Sequence, residues 1–323
     1  MNIPTPMTYL PKITAIIESC KQKSPCELEV RYHEPMAEHC TFKTGGKADC
    51  WLRPCGEGFP AFAASLIAAA RAEDIPLFFL GGGANILAAD EGIRGIVFDT
   101  GGWAGEIGQK RQEGILEFRG GTSLDDAAEI AADASLSGLE FLAGMPGSIG
   151  GAVWMNARCY GQEIAGVLTE TEIIEFSKIP PRRVRQTANK SEFGYKFSPF
   201  QKCNCLIISA SFQLTNGEKT QIRAAMNGHR ADREAKGHYR YPSAGSVFKN
   251  NKSFGKPTGQ IIDELGLCGM RKGGAQIAPW HGNIIINTGA AAASDIRALA
   301  EEAAARVKTA TGFTLEPEIL FIP

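Results

Sequence analysis

Two segments of this chain set residues able to move a proton beside residues able to hold an anion. In Tyr241-Pro-Ser-Ala-Gly-Ser-Val-Phe-Lys-Asn250, Ser246 lies between a glycine and an apolar pair, with Lys249 and Asn250 just beyond. A serine hydroxyl donates a proton only where neighbours orient it and stabilise the alkoxide it leaves, and Lys249 or a bound substrate could do so. Taken alone, Ser246 reads as a turn or capping serine. Near the C-terminus, Leu315-Glu-Pro-Glu-Ile-Leu320 offers Glu316 and Glu318 two positions apart, hence on one side of an extended segment. Exposed edge charges are the plain alternative. Lys196, in Phe193-Gly-Tyr-Lys-Phe-Ser198, and the helix arginines Arg223, Arg230 and Arg233 read by default as solvated surface charges.

Glycine supplies a second kind of chemistry. It makes up 37 of 323 residues, well above the usual ~7 %, and it is concentrated in short runs. Leu80-Gly-Gly-Gly-Ala-Asn-Ile-Leu87 follows an apolar strand pattern, and exposed amides in such a turn suit a nucleotide phosphate. Familiar signatures fail: Ile86 stands where a dinucleotide fingerprint needs its third glycine, and no G-x-x-x-x-G-K-[ST] occurs. No G-x-S-x-G surrounds Ser123, Ser148 or Ser246, which weakens a hydrolase reading. A second run, residues 138–157, packs Gly144, Gly147, Gly150, Gly151 and Pro146 among apolar residues. That pattern expects backbone approached closely by another body. A flat, largely apolar cofactor with a pyrophosphate tail would fit two such loops, and tight turns or glycine packing would also account for them.

Composition narrows the classes. At this length two or three packed units are expected. The 34 basic and 35 acidic residues leave a net charge of -1, so neither nucleic acid nor a membrane surface is an expected partner, and no obligatory protein partner is evident. Nine cysteines contain no C-x-x-C. The close pair Cys203 and Cys205 is read as turned apart, so no metal site is expected. Scattered thiols, an N-terminus without a leader pattern, and no stretch of ~20 apolar residues point to the cytoplasm.

The elements that must position these residues follow from periodicity. Leu10, Ile13, Ile16 and Ile17 predict a short amphipathic helix over residues 9–23. Residues 41–53 read as strand and glycine turn, 59–72 as an alanine-rich helix, and 76–80 and 96–99 as strands. Further on come a strand over 115–119, a helix over 123–135 with Ser123 as its cap and Asp126 at the box position, and strands over 171–176 and 206–214. A polar helix spans 217–236, followed by helices over 258–265 and 293–310 and a last strand over 315–322.

Taken in order, these motifs resemble the UDP-N-acetylenolpyruvoylglucosamine reductase family of peptidoglycan precursor synthesis. The resemblance rests on Thr41-Phe-Lys-Thr-Gly-Gly46, on 80–87 with Asp90-Glu-Gly92, on 138–157 with Tyr160-Gly161, and on 194–198. It continues through 243–250, Gly274-Ala-Gln276 with His281 and Asn283, and 315–318. It implies an α+β chain: a two-subdomain FAD-binding fold of the vanillyl-alcohol oxidase (PCMH) type, then a smaller α+β substrate-binding domain. The implied boundaries are a lead-in over 1–37, subdomains of about 38–101 and 102–216, and a substrate domain over 217–323. The interval from Ser198 to Ser246 is too short for the extra substrate-loop elements of one branch, so the compact second type is implied.

By the same resemblance FAD, bound non-covalently, lies between the subdomains. Gly81, Gly82, Gly83, Ala84 and Asn85 cradle its pyrophosphate, and Thr41, Gly45, Gly144, Pro146, Gly147, Ser148, Gly150 and Gly151 wall the rest. NADPH is the implied hydride donor and a UDP-sugar the implied substrate. Ser246 would protonate it, while Glu318 and Lys196 polarise its carboxylate. Tyr195, Asn250 and Gln276 would bind the sugar nucleotide, with Lys249 or Arg230 on phosphate. Two positions depart from the family pattern. Lys196 stands where arginine is usual, which loses the bidentate fork, and Leu320 replaces a second arginine. Arg158, in Asn156-Ala-Arg-Cys-Tyr160, is a candidate compensating cation. A flavin oxidase or dehydrogenase of the same fold, or a silent binding homologue, are the alternatives.

Overall fold

In the computed structural model, which describes residues 9–110 and 113–323, the first apolar periodicity becomes the helix Leu10–Lys23. Its Ile13, Ile17 and Cys20 meet Phe59, Phe62, Leu66 and Ile67 of the helix Phe59–Ala72. Both helices bury their stripes against a four-stranded sheet ordered Glu27–Pro35, Lys47–Cys55, Ile96–Asp99, Leu77–Leu80. The pairs made by Ile96–Asp99 with Lys47–Cys55 and with Leu77–Leu80 are parallel. Parallel strands need a crossover, and Phe59–Ala72 is one.

A five-stranded antiparallel sheet follows, ordered Arg182–Thr187, Leu168–Glu175, Cys205–Gln213, Ile115–Arg119, Glu106–Lys110. One face packs Phe118, Ala210 and Phe212 against the helices Leu124–Asp133 and Ile149–Met155, and against Ile222 and Met226 of the helix Lys219–Ala235. From the other face, Ile174, Leu206 and Ile208 join the core of the first sheet. Ser123 caps its helix, accepting from the Asp126 amide at 3.0 Å, a contact whose loss costs about 1 kcal/mol.

By packing, the described residues divide into two compact units: those of 9–34, 48–82 and 94–230 in one, and those of 35–47, 83–93 and 231–323 in the other. The expected boundaries at 37/38, 101/102 and 216/217 differ from this division, because the chain enters the second unit three times. The first of its early visits is tied there by side chains: Asn287 Nδ2 donates to the Phe42 carbonyl at 2.9 Å and Thr44 Oγ1 to that of Ala291 at 2.6 Å. The second unit holds a parallel pair, Ile86–Ala88 with Leu320–Ile322, and an antiparallel triplet, Arg271–Lys272, Ala275–Ile277, Ile285–Asn287. Helices Thr258–Glu264 and Ala293–Thr311 complete it. The Asp90 carboxylate accepts from the Ala293 and Ser294 amides at 2.7 and 2.9 Å, filling orphan donors at the start of the last helix. Burial resists ionisation of Asp90, but a hydrogen bond with the Ser294 side chain, together with these two amides, holds its pKa below the usual carboxylate value.

Two sequence expectations need correction. The final strand is three residues long, Leu320–Ile322, because Pro317 and the backbone of Glu318 serve another contact described below. Cys203 and Cys205 are not turned apart: their thiols interact, as residues two apart in an extended segment should, and burial first, then Cys203, pushes the Cys205 thiol up. Among the described residues no group of three or more His, Cys, Asp or Glu could hold a metal ion, and no helix is long and apolar enough to cross a membrane.

Candidate functional site

In the second unit, Ser246 and Glu318 stand on neighbouring antiparallel segments. Phe248 bridges Pro317, and Ser246 bridges Ile284 on its other side. The amides of Glu318 and Ile319 both converge on the Val247 carbonyl, at 2.7 and 3.5 Å. Two successive donors on one acceptor is the pattern of a β-bulge, which re-aims a side chain and ends regular pairing. Asn85 fixes the same point from below the bulge: its Nδ2 donates to the Glu318 carbonyl at 2.9 Å and its own carbonyl accepts from the Leu320 amide at 2.9 Å. Glu318 and Ser246 are both half-buried.

The other residues expected around them are placed as follows. Lys249 is 2.6 Å from Glu316, which is exposed, so the two carboxylates read as equivalent in sequence are not: Glu316 is an ion-pair partner and Glu318 is held by the bulge. Asn250 Oδ1 accepts from the Thr258 amide at 2.9 Å, capping the start of that helix. Gln276 is engaged at both ends of its carboxamide, by Arg271 at 3.1 Å and the Gly269 carbonyl at 3.0 Å.

His238 and His281 lie in this unit as well. Burial, then the Arg233 guanidinium and His281, push His238 down to about 4, and burial lowers His281 too. In the unfolded chain histidine titrates near 6.5, so the unfolded state takes up the proton first. Stability is therefore full above about pH 6.5 and falls as the pH drops from there toward 4, by on the order of 2 kcal/mol for His238 after allowance for its partial exposure. Denaturant midpoints at pH 7.5 and 5 check this; a midpoint unchanged across that interval contradicts it, and His238→Gln should flatten the dependence.

The glycine run crosses from one unit to the other. In the first unit a Cβ on Gly81 would sit 2.4 Å from Ser148 Oγ, and one on Gly82 would sit 2.7 Å from Gly147 Cα. The two glycine loops thus approach each other backbone to backbone, a demand on glycine that needs no ligand. In the second unit Gly83 has φ +62, and a Cβ there would meet the His39 carbonyl at 2.0 Å. Thr41 donates its amide to the Gly83 carbonyl at 3.0 Å. Gly45 has φ +124, with Ala88 and Met36 against it. Ser148 is the buried cap of Ile149–Met155 and accepts from the Gly151 amide at 3.3 Å. Gly144 donates to Asp125 Oδ1 at 2.7 Å and Gly150 to the Gly120 carbonyl at 2.7 Å, while Pro146 is exposed.

Also in the first unit, Tyr195 and Lys196 form a two-residue connection closed by mutual hydrogen bonds between Gly194 and Phe197 at 3.0 and 3.1 Å. Lys196 has φ +56, a left-handed conformation that glycine adopts at lower cost. Asn156, fully buried, ties this connection to its neighbour by donating to the Gly194 carbonyl at 2.8 Å. Arg158 is exposed, with its guanidinium carbon 6.0 Å from the Tyr195 ring. Arg230 lies 2.8 Å from Asp125 and 2.7 Å from Glu129, so two carboxylates already neutralise the charge expected on phosphate. Asp125, Asn156, Asp90 and Asn283 carried no recognisable signal as anchors, because each secures backbone distant in sequence.

Residues 62–174 match an FAD binding domain profile, and with the glycine loops and mixed sheets this defines the class: an FAD-binding α+β protein with a C-terminal domain. Residues 237–322 match the C-terminal domain of UDP-N-acetylenolpyruvoylglucosamine reductase. Proteins of that name from Treponema pallidum and Borreliella burgdorferi are 39 % and 40 % identical, over 90 % and 89 % of this chain and 93 % and 92 % of theirs. The crystal structure of the Thermus caldophilus reductase superposes with a TM-score of 0.71 at 30 % identity, covering 92 % of this chain and all of that one. The chain belongs to the UDP-N-acetylenolpyruvoylglucosamine reductase family.

The residues present fit FAD. Thr41 Oγ1 is buried and has no hydrogen-bond partner among the described residues, an uncommon state that a bound polar group relieves. Beside it in the second unit, the amides of Gly83, Ala84 and Asn85 meet no acceptor among the described residues, which suits the oxygens of a pyrophosphate.

Proposed function

We propose that this chain reduces the enolpyruvyl group of UDP-N-acetylglucosamine enolpyruvate to the lactyl ether of UDP-N-acetylmuramate, with NADPH as the reductant. Thr41, Gly45, the run from Gly81 to Asn85 and the 144–151 loop would hold FAD. Bound FAD would supply the two-electron relay between NADPH and the double bond. The work of this chain's side chains is protonation and charge control. As hydride reaches the terminal carbon, negative charge develops on the adjacent carbon and spreads to the carboxylate. Ser246 Oγ–H delivers the proton that completes addition across the double bond. Glu318 and Lys196 hold the carboxylate end of the substrate, and Tyr195 and Asn250 the sugar nucleotide. Such a step uses a cytoplasmic pool of NADPH and of the nucleotide sugar.

The observation that carries this reading is the bulge at Val247, which holds a half-buried carboxylate, Glu318, on the segment paired with that of Ser246. Stopped-flow absorbance of the purified flavoprotein tests it. NADPH should bleach the flavin band, and the enolpyruvyl UDP-sugar should restore it without oxygen. Recolouring by oxygen but not by the UDP-sugar would assign an oxidase, and no bleaching by NADPH would assign a protein without this redox activity.

A further inference from the structure

The segment that follows the Ala275–Ile277 strand carries His281 and Asn283, and the proposed chemistry uses neither. Asn283 is 2 % exposed, and each of its polar atoms has a partner. Its Oδ1 accepts from the Phe248 amide at 2.9 Å, and its Nδ2 donates to the Phe248 carbonyl at 2.7 Å. Its carbonyl accepts from the Val247 amide at 2.9 Å, and its own amide donates to His281 Nδ1 at 3.1 Å. The two residues after Ser246 have four backbone polar groups between them. Three of these go to Asn283, and the fourth, the Val247 carbonyl, takes the paired donors from Glu318 and Ile319.

Asn283 therefore grips Val247 and Phe248 from one side, while the Glu318 bulge grips the Val247 carbonyl from the other. A carboxamide is the side chain that can pair with an amide and a carbonyl of one residue at once, since it is both acceptor and donor. For Nδ1 of His281 to accept from the Asn283 amide, that nitrogen must be unprotonated, which fixes the ring as the neutral form with its hydrogen on Nε2. Both side chains spend these contacts on the chain's own backbone, so the role is one of alignment.

We infer that Asn283 is a positioning residue: it sets the register and tilt of Ser246 against Glu318, with His281 holding Asn283 in turn. The consequence for chemistry rests on the proposed reductase reading; the geometric consequence does not. Removing the carboxamide leaves a buried N–H and C=O on Phe248 without partners, and the backbone of 246–248 shifts to find water.

Asn283→Ala and the isosteric Asn283→Asp, each loaded with FAD, test the idea. Bleaching by NADPH should match wild type, while recolouring by the enolpyruvyl UDP-sugar slows at least tenfold and KM stays within about threefold. The ratio of rates in H2O and D2O should rise, because proton delivery becomes the slow step. Asn283→Asp should regain rate relative to wild type as the pH is lowered, since the protonated acid again offers a donor to the Phe248 carbonyl. Unchanged recolouring and isotope ratio in both variants would overturn the proposal, as would equal slowing of both half-reactions, which marks a general loss of structure. If wild type itself fails to react with the UDP-sugar, the reductase reading falls and amide hydrogen exchange decides the geometry. Exchange at Val247, Phe248 and Glu318 should quicken at least tenfold in Asn283→Asp, and unchanged exchange there sinks the inference.

Discussion

Ser246→Ala should leave bleaching of the bound flavin by NADPH at the wild-type rate and slow recolouring by the UDP-sugar by about 10²–10⁴-fold, the usual worth of a positioned general acid. The separation is sharp because the local backbone is not held by the serine side chain. Val247 and Phe248 are held by Asn283 and by the Glu318 bulge, and alanine removes one oxygen from a half-buried position. Melting temperature should accordingly change by no more than a few degrees. The effect should appear in kcat with KM little altered, since the hydroxyl acts as the transition state forms and not on ground-state binding. Full turnover in Ser246→Ala would remove the serine from the chemistry, and Glu318 would then be the remaining candidate donor on these paired segments.

The helices were legible because apolar residues at 3.6-residue spacing leave little choice of face. Phe59–Ala72 begins and ends where its alanine-rich stripe does, and Thr258–Glu264 and Ala293–Thr311 fall within one residue of expectation. Ile96–Asp99 and Ile115–Arg119 were legible as compact apolar or alternating runs between turn residues. The last strand was not, since its pattern continues through Pro317 and Glu318 while the actual partner changes from the 246–249 segment to Ile86–Ala88. A pattern records which face is apolar and says nothing of which strand will cover it.

The glycine loops were half legible. Their position marked backbone under tight constraint, correctly for Gly81, Gly82 and Gly83, yet the bodies pressing on them are Ser148, Gly147 and His39 of the chain itself. Local spacing cannot tell a close protein neighbour from a close ligand. The polar anchors were illegible for a different reason. Asn85 reaches Glu318, Asp90 reaches Ala293, and Thr44 reaches Ala291, separations of more than 200 residues that no local window contains. Family resemblance could mark Asn283 as belonging to a motif, but only its contacts with Val247 and Phe248 give it a task.

Lys196→Gly should move stability and activity in opposite directions. At φ +56 a side chain costs roughly 1–2 kcal/mol. Glycine removes that strain but adds back about 0.5–1 kcal/mol of unfolded-state entropy. The net change is small and favourable, so the melting temperature should hold or rise by up to about 3 °C. A cation that contacts the substrate carboxylate contributes about 1.5–3 kcal/mol through a charge-assisted hydrogen bond, so kcat/KM should fall by about 10- to 150-fold. A solvated surface lysine gives the first result without the second. Strain persists at a position chiefly where the side chain held there is needed, and this variant measures that need directly, by thermal melting and steady-state kinetics on one preparation. Should kcat/KM stay within threefold of wild type, Lys196 does not grip the carboxylate. Arg158, whose guanidinium lies 6.0 Å from the ring of the adjoining Tyr195, is then the cation to replace, and Arg158→Ala should show the loss that Lys196→Gly did not.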